Sequence, residues 1–326
     1  MIYIRSLSTF KPAFCPMLNK APALSPPTRV GIVAPASSPK DAQAFKSGLS
    51  NLEAAGFLPV LRRNEYTENG YLAGTDSERL SEFNAFLKDD SVHALIAVRG
   101  GYGSLRLLDD IDYEAARRLP KLLVGYSDIT ALQLALYKHA GWVGVSGPMV
   151  AVEWPDPKAS NCDQFMALAS GALVDQPLDG HHSLVPLRQG RAIGPLLGGN
   201  LSLIAKLLGT AHMPDLKGAI LFLEDIGESP YQVDGLVASL KLAGVLSTLS
   251  GIILGGFTEG DAEQSKPSLT LKDVFEHYFA PLGIPVAMGL RYGHFAQKAA
   301  IPIGVQAELL CESKTGQLIL RESPVR

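Results

Sequence analysis

From Arg29 onwards, short runs that are apolar at every position alternate with longer stretches in which apolar residues recur every three or four positions. The runs at 30–34, 58–61, 94–98 and 122–124 predict buried strands. The periodic stretches predict helices over about 41–55, 77–87 and behind Ser127, where Ile129, Leu132 and Leu136 share a face. Residues 143–148 predict one more strand. Strands without polar alternation, separated by helices, indicate a parallel sheet covered on both faces, in which ligands bind beyond the carboxyl ends of the strands. Further along, helices are expected over 201–208, 233–243 and 271–279, and strands over 219–223, 251–254 and 286–288. Residues 301–310 and 317–320 read as terminal strands joined by a turn.

Between Glu153 and Gly190 the periodicity weakens while Pro155, Pro157, Gly171, Pro177, Gly180 and Pro186 accumulate, the pattern of a crossing between domains. The expected organisation is an N-terminal extension (1–28), a nucleophile domain (29–165), a linker (166–190) and a C-terminal domain (191–326). The extension carries Arg5, Lys11 and Lys20 among prolines, without a secretory apolar core, and reads as loosely held.

Composition narrows the function. The 326 residues are 47% hydrophobic, enough for a sizeable core, and the formal charge of −3 gives no electrostatic reason to expect nucleic acid or an anionic membrane as partner. No apolar run is long enough to span a bilayer. Cys15, Cys162 and Cys311 are odd in number and far apart, which fits a reducing compartment rather than a disulfide framework. No Cys-x-x-Cys or His-Glu-x-x-His occurs, so a zinc site has no support, and the adjacent His181 and His182 read as solvated.

The segment Leu122-Leu-Val-Gly-Tyr-Ser127-Asp-Ile-Thr130 turns from strand to helix at a single serine. Gly125 permits the change of direction, and backbone N–H groups at a helix start favour negative charge, including an oxyanion. Ser127 is therefore either a nucleophile at a strand end or simply a helix cap. Arg99-Gly-Gly-Tyr-Gly103, at another strand end, either cradles an anion or turns the chain for packing. It lacks the third glycine of a dinucleotide fingerprint, because Arg106 stands there.

A serine hydroxyl needs a base, and the base needs a partner that fixes its tautomer and stabilises its cation. Of seven histidines only His294 both follows an expected strand and sits in a glycine-containing loop. Glu224 closes the strand before it, with Asp225 and Glu228 as rivals. A structural reading stays open: His294 on the surface and Glu224 at a helix start. The order Ser, Glu, His is one in which hydrolytic triads occur, although Gly-x-Ser-x-Gly is absent, since Ile129 follows Asp128.

Arg99-Gly-Gly-Tyr-Gly, Val124-Gly-Tyr-Ser-Asp-Ile-Thr130, Gly194-Pro-Leu-Leu-Gly-Gly-Asn200, Leu223-Glu-Asp-Ile-Gly-Glu228 and Gly293-His294 together resemble the LD-carboxypeptidase family of serine peptidases, over the chain from about Arg29 to its end. The resemblance implies an α/β fold: an N-terminal doubly wound parallel sheet of glutamine amidotransferase-like type and a smaller C-terminal α/β domain rich in β-structure. It implies a triad of Ser127, His294 and Glu224, with the oxyanion held by the backbone N–H groups of Asp128 and Gly101. It implies a cytoplasmic, commonly dimeric enzyme without metal or cofactor, which releases the terminal D-alanine of murein tetrapeptide in peptidoglycan recycling. A related branch hydrolyses a peptidyl-adenylate antibiotic and carries an aromatic for stacking on the base. Trp142 and Trp154 lie too soon after Ser127 for that role. A terminal D-alanine presents a carboxylate, for which Arg99, Arg291 and Lys298 are the candidate cations. The competing readings are an anion-binding module with no catalysis and an amidotransferase-like enzyme, which would want a cysteine at position 127.

Overall fold

The computed structural model describes residues 17–63, 65–159, 162–178, 184–260 and 267–326. His181 and His182 lie outside them. In the first half β1 (Thr28–Val33), β2 (Phe57–Val60), β3 (Ala94–Ala97), β4 (Leu122–Val124) and β5 (Gly144–Ser146) alternate with α1 (Ala42–Ala54), α2 (Asp76–Leu87), α3 (Tyr113–Arg118) and α4 (Thr130–Ala140). Asp41 caps α1, and a Thr75–Glu78 capping box starts α2. Gly31 lets α2 close on β1, since a Cβ there would sit 2.8 Å from the Phe86 ring.

The second half contains α5 (Cys162–Ala169), β6 (Val185–Arg188), β7 (Gly190–Asn200), α6 (Leu201–Leu207), β8 (Ile220–Ile226), α7 (Pro230–Leu242), β9 (Gly251–Thr258), α8 (Leu271–Phe279), β10 (Val286–Met288), β11 (Ile301–Ile303), β12 (Gln306–Cys311) and β13 (Gly316–Leu320).

The chain is mixed α/β with two sheets. The first runs β11-β5-β4-β3-β1-β2, parallel except for β11. Strand order reverses between β1 and β3, the switch point where loops diverge and leave a crevice. The second sheet runs β13-β12-β7-β8-β9-β10-β6, with β7 to β10 parallel and the remaining strands antiparallel. It has seven strands against six, so the C-terminal unit is not the smaller one in sheet size.

Several local expectations change. Residues 17–28 are held rather than loose: Leu24 is buried, Asn19 N–H donates to Gly141 O (2.7 Å), and Lys20 pairs with Glu322 (2.6 Å). The crossing at 153–190 holds α5 and the edge strand β6. The expected strand 301–310 is two strands in different sheets. Gly304, at φ +102° and packed on the Tyr137 ring, turns the chain between them. β7 escapes the apolar pattern because glycines occupy strand positions where side chains would overlap the next strand; at Gly194 and Gly198 a Cβ would strike the carbonyls of Gly218 and Phe222.

The halves meet where β7 ends against the start of α4. A Cβ on Gly199 (φ +133°) would lie 2.5 Å from Thr130 Oγ1, the same hydroxyl that accepts the Asn200 N–H at 3.2 Å. Glycine there brings the carboxyl ends of both sheets to one seam.

Candidate active site

Ser127 sits just past β4 in a left-handed conformation, φ +61°. A non-glycine residue held there costs on the order of 1–2 kcal/mol, so the surrounding structure must impose it. A short 3₁₀ turn, Ser127–Ile129, separates it from α4, and among the described residues its hydroxyl makes no capping bond. The serine is thus a strained corner, not the helix cap that the bare sequence allows. Gly125 supports the corner: at φ +155° its missing Cβ would meet Ala97 and Ile129 at 3.0 Å.

The loop after β3 closes on this corner. A Cβ on Gly100 would lie 3.0 Å from Ser127 Cβ and 3.3 Å from its Oγ. Gly101 has φ +114°, and a side chain there would overlap Ser37 Oγ, from the loop after β1. Ser37 Oγ donates to Tyr71 O (2.5 Å) and accepts from Tyr102 N–H (3.3 Å). The buried Arg79 donates to Pro35 O and to Gly103 O, pinning the two loops together. Asp128 is buried and its carboxylate accepts the Ser104 N–H at 2.8 Å. Burial pushes its carboxyl up, against the pull of the Ser104 hydrogen bonds.

The acid and the imidazole come from the second sheet. Glu224, fully buried, lies where the β8–β9 register shifts, a bulge that re-aims a side chain at a strand end. Its Oε2 is 2.8 Å from His294 Nδ1, and its Oε1 accepts from Asn200 Nδ2 at 3.3 Å. The rival Asp225 is committed elsewhere: its oxygens accept from Asn200 Nδ2 (2.8 Å), Ser202 N–H (2.9 Å) and Ser202 Oγ (2.7 Å). Glu228 meets Ser202 Oγ at 3.5 Å. Gly255 and Gly256 of β9 admit the histidine loop, the Gly256 N–H donating to Tyr292 O at 2.7 Å. The Tyr292 hydroxyl in turn bonds to Ser146 Oγ of β5, a link across the halves.

His294 packs edge-on against the Tyr126 ring, centroids 5.3 Å apart, beside Ser127 in sequence. Among the described residues Ser127 and His294 share no hydrogen bond. With Nδ1–H donating to Glu224, the other ring nitrogen is left to accept a proton. A hydroxyl, an imidazole and a buried carboxylate around one seam can perform nucleophilic acyl transfer.

The candidate cations differ in burial and partners. Arg99 reaches Ser38 O at 3.4 Å and Arg291 reaches the Gln297 side chain at 3.1 Å. Lys298 is buried and paired with Glu153 at 2.6 Å, which removes it as a ligand for a substrate carboxylate. Sequence reasoning missed Gly100, Asn200, Tyr126 and Glu153 as individual residues. The first three lay inside motifs already singled out; Glu153 offered no signal. Among the described residues no cluster of three or more His, Cys, Asp or Glu is arranged to hold a metal ion.

Models of the N-terminal and C-terminal domains of LD-carboxypeptidase match residues 30–147 and 193–309. A probable murein peptide carboxypeptidase of Bacillus subtilis is 37% identical, covering 91% of this chain and 94% of its own. This chain belongs to the LD-carboxypeptidase family. Among solved LD-carboxypeptidase-like structures, the muramoyltetrapeptide carboxypeptidase of Oxalobacter formigenes superposes with a TM-score of 0.79 at 30% identity, covering 91% of this chain and all of that one. The wild-type microcin C7 self-immunity protein MccF superposes with a TM-score of 0.82 at 26% identity, covering 94% and 99%.

Proposed function

We propose that this chain is a serine carboxypeptidase that hydrolyses the L,D bond before the terminal D-alanine of murein tetrapeptide. Ser127 Oγ attacks the scissile carbonyl, His294 takes its proton and returns it to the leaving amine, and Glu224 stabilises the imidazolium. The backbone N–H groups of Gly101 and Asp128 receive the oxyanion. The observation that carries this reading is the 2.8 Å contact of His294 Nδ1 with a fully buried Glu224, at the seam that also holds the left-handed Ser127. The Ser127–His294 bond forms when substrate closes the site, as catalytic hydrogen bonds often tighten only in the complex.

The same reading includes a cytoplasmic enzyme of peptidoglycan recycling, a homodimer acting on a muropeptide small molecule. The free, buried Cys162 and Cys311 agree with a reducing compartment, and no helix among the described residues is long and apolar enough to cross a membrane. The likeness to MccF favours a second reading, hydrolysis of a peptidyl-adenylate. Against it, the chain's two tryptophans, Trp142 and Trp154, are both buried in the first half and offer no ring for stacking on a base.

Incubation with murein tetrapeptide tests the proposal. The parent protein should release D-alanine, and Ser127→Ala should bind tetrapeptide without releasing it. Equal release by both proteins would remove Ser127 from the chemistry.

A further inference from the structure

Beneath the His294 ring lies a buried polar network that the reaction does not consume. Lys298 Nζ donates to the Tyr126 hydroxyl (3.0 Å) and to Phe295 O (3.2 Å), and pairs with Glu153 Oε1 (2.6 Å). All three ammonium donors are thereby occupied. Tyr126 donates to the same Glu153 oxygen at 3.0 Å, while Glu153 Oε2 accepts the Met149 N–H at 2.9 Å. The ammonium also sits 4.2 Å from the centre of the Tyr126 ring, the ring against which His294 packs.

Two features separate this cluster from ordinary packing. A buried ion pair contributes little net stability compared with apolar residues of the same volume, because both charges lose their water. Its members also divide between the halves: Tyr126 and Glu153 belong to the half that carries Ser127, Phe295 and Lys298 to the loop that carries His294. The carbonyl that Lys298 holds is the one immediately after the histidine.

We propose that Lys298 is a positioning residue for the histidine: by tying Phe295 O to Tyr126 and Glu153, it sets the His294 imidazole against the residue that precedes the nucleophile. This rests on the carboxypeptidase reading above. The tyrosine supplies both a hydroxyl that links lysine to glutamate and a ring that backs the imidazole. Its phenol stays protonated, since burial first and the Glu153 charge second push it well above its ordinary range. A misplacement of about an ångström between base and nucleophile costs up to about a hundredfold in rate without weakening substrate binding.

The test uses the full chain carrying Lys298→Met together with Glu153→Gln, so that no unpaired charge remains buried, and Tyr126→Phe as a second variant that removes one hydroxyl. Two readouts are taken: kcat and KM for D-alanine release, and the NMR signal of the His294 Nδ1 proton. The expected result is a fall in kcat of about tenfold or more with KM within about twofold, accompanied by broadening of the Nδ1 signal through exchange with water. Should the double variant fail to fold, Tyr126→Phe is expected to give the same pattern at smaller size. Folded variants with parental kcat and a parental Nδ1 signal overturn the inference alone. If the parent itself releases no D-alanine, the carboxypeptidase reading falls, and an unchanged Nδ1 signal in the variants then overturns this inference independently.

Discussion

His294 reaches back seventy positions to set its Nδ1 2.8 Å from a carboxylate that has no exposure to solvent, that of Glu224. The pairing orients the ring and leaves its second nitrogen outside this contact. Glu224→Gln keeps the volume and removes the charge, so it tests orientation and charge stabilisation together. On the proposed triad, kcat should fall by roughly 10²–10⁴-fold with little change in KM. Because the change neutralises a buried acid, thermal stability should not fall in proportion. Steady-state D-alanine release and a melting curve check both parts.

Gly100 predicts a change in activity without a matching change in stability. Its backbone is not in the left-handed region, so alanine is tolerated there, but the added methyl would press on Ser127 at 3.0–3.3 Å. Gly100→Ala should lower kcat by about tenfold or more by displacing the serine. Gly101→Ala differs, because φ +114° and overlap with Ser37 oppose any side chain; it should lower stability by roughly 1 kcal/mol or more as well. Urea titrations beside kinetics separate the two.

A terminal substrate carboxylate calls for a cation, and Arg99 and Arg291 are the proposed candidates. Replacing the responsible arginine by Met should raise KM for tetrapeptide on the order of tenfold or more, the worth of a charge-assisted hydrogen bond. Unchanged KM in both variants would show that neither guanidinium holds the carboxylate.

At the end of α4 His139 Nε2 lies 3.2 Å from His212 Nδ1, and His212 Nε2 meets Asp109 at 2.8 Å, with the Tyr113 ring tilted against His139 and stacked on His212, and Lys138 and Arg117 nearby. Burial first, then the His212 charge, holds His139 below its ordinary 6.5. The unfolded chain therefore takes up this proton first as pH falls. The contribution of His139 to stability is complete above pH 6.5 and is lost as pH drops toward the lower folded value. His139→Gln should show a smaller difference in urea midpoint between about pH 7.5 and about pH 5.5 than the parent.

The first sheet was legible because parallel strands buried on both faces announce themselves as unbroken apolar runs, as at Leu122–Val124. β7 was not, because its glycines serve close approach to β8 rather than packing by side chains. The corner at Ser127 was visible through Gly125, but its left-handed backbone was not, since strain imposed by neighbours leaves no residue signature. Sequence reasoning favours Glu224 from its place at the strand end but leaves Asp225 and Glu228 as rivals, because the bulge that turns one carboxylate toward the histidine leaves no residue signature. Lys298 read as a free cation for the same kind of reason: its charge is written in the sequence, its burial against Glu153 is not.

The first sheet ends on a strand contributed from Ile301–Ile303, pairing antiparallel with β5. During synthesis the flank of the serine-bearing layer therefore stays open until the chain has emerged past Ile303. Cutting the gene at the crossing near residue 170 would yield an amino-terminal piece with a bare, sticky border and a carboxyl-terminal piece missing the place where its own strand belongs. The protein is divisible by eye into two sheets, yet a strand from beyond the crossing completes the first, so a split version is expected to need both fragments present together to become whole.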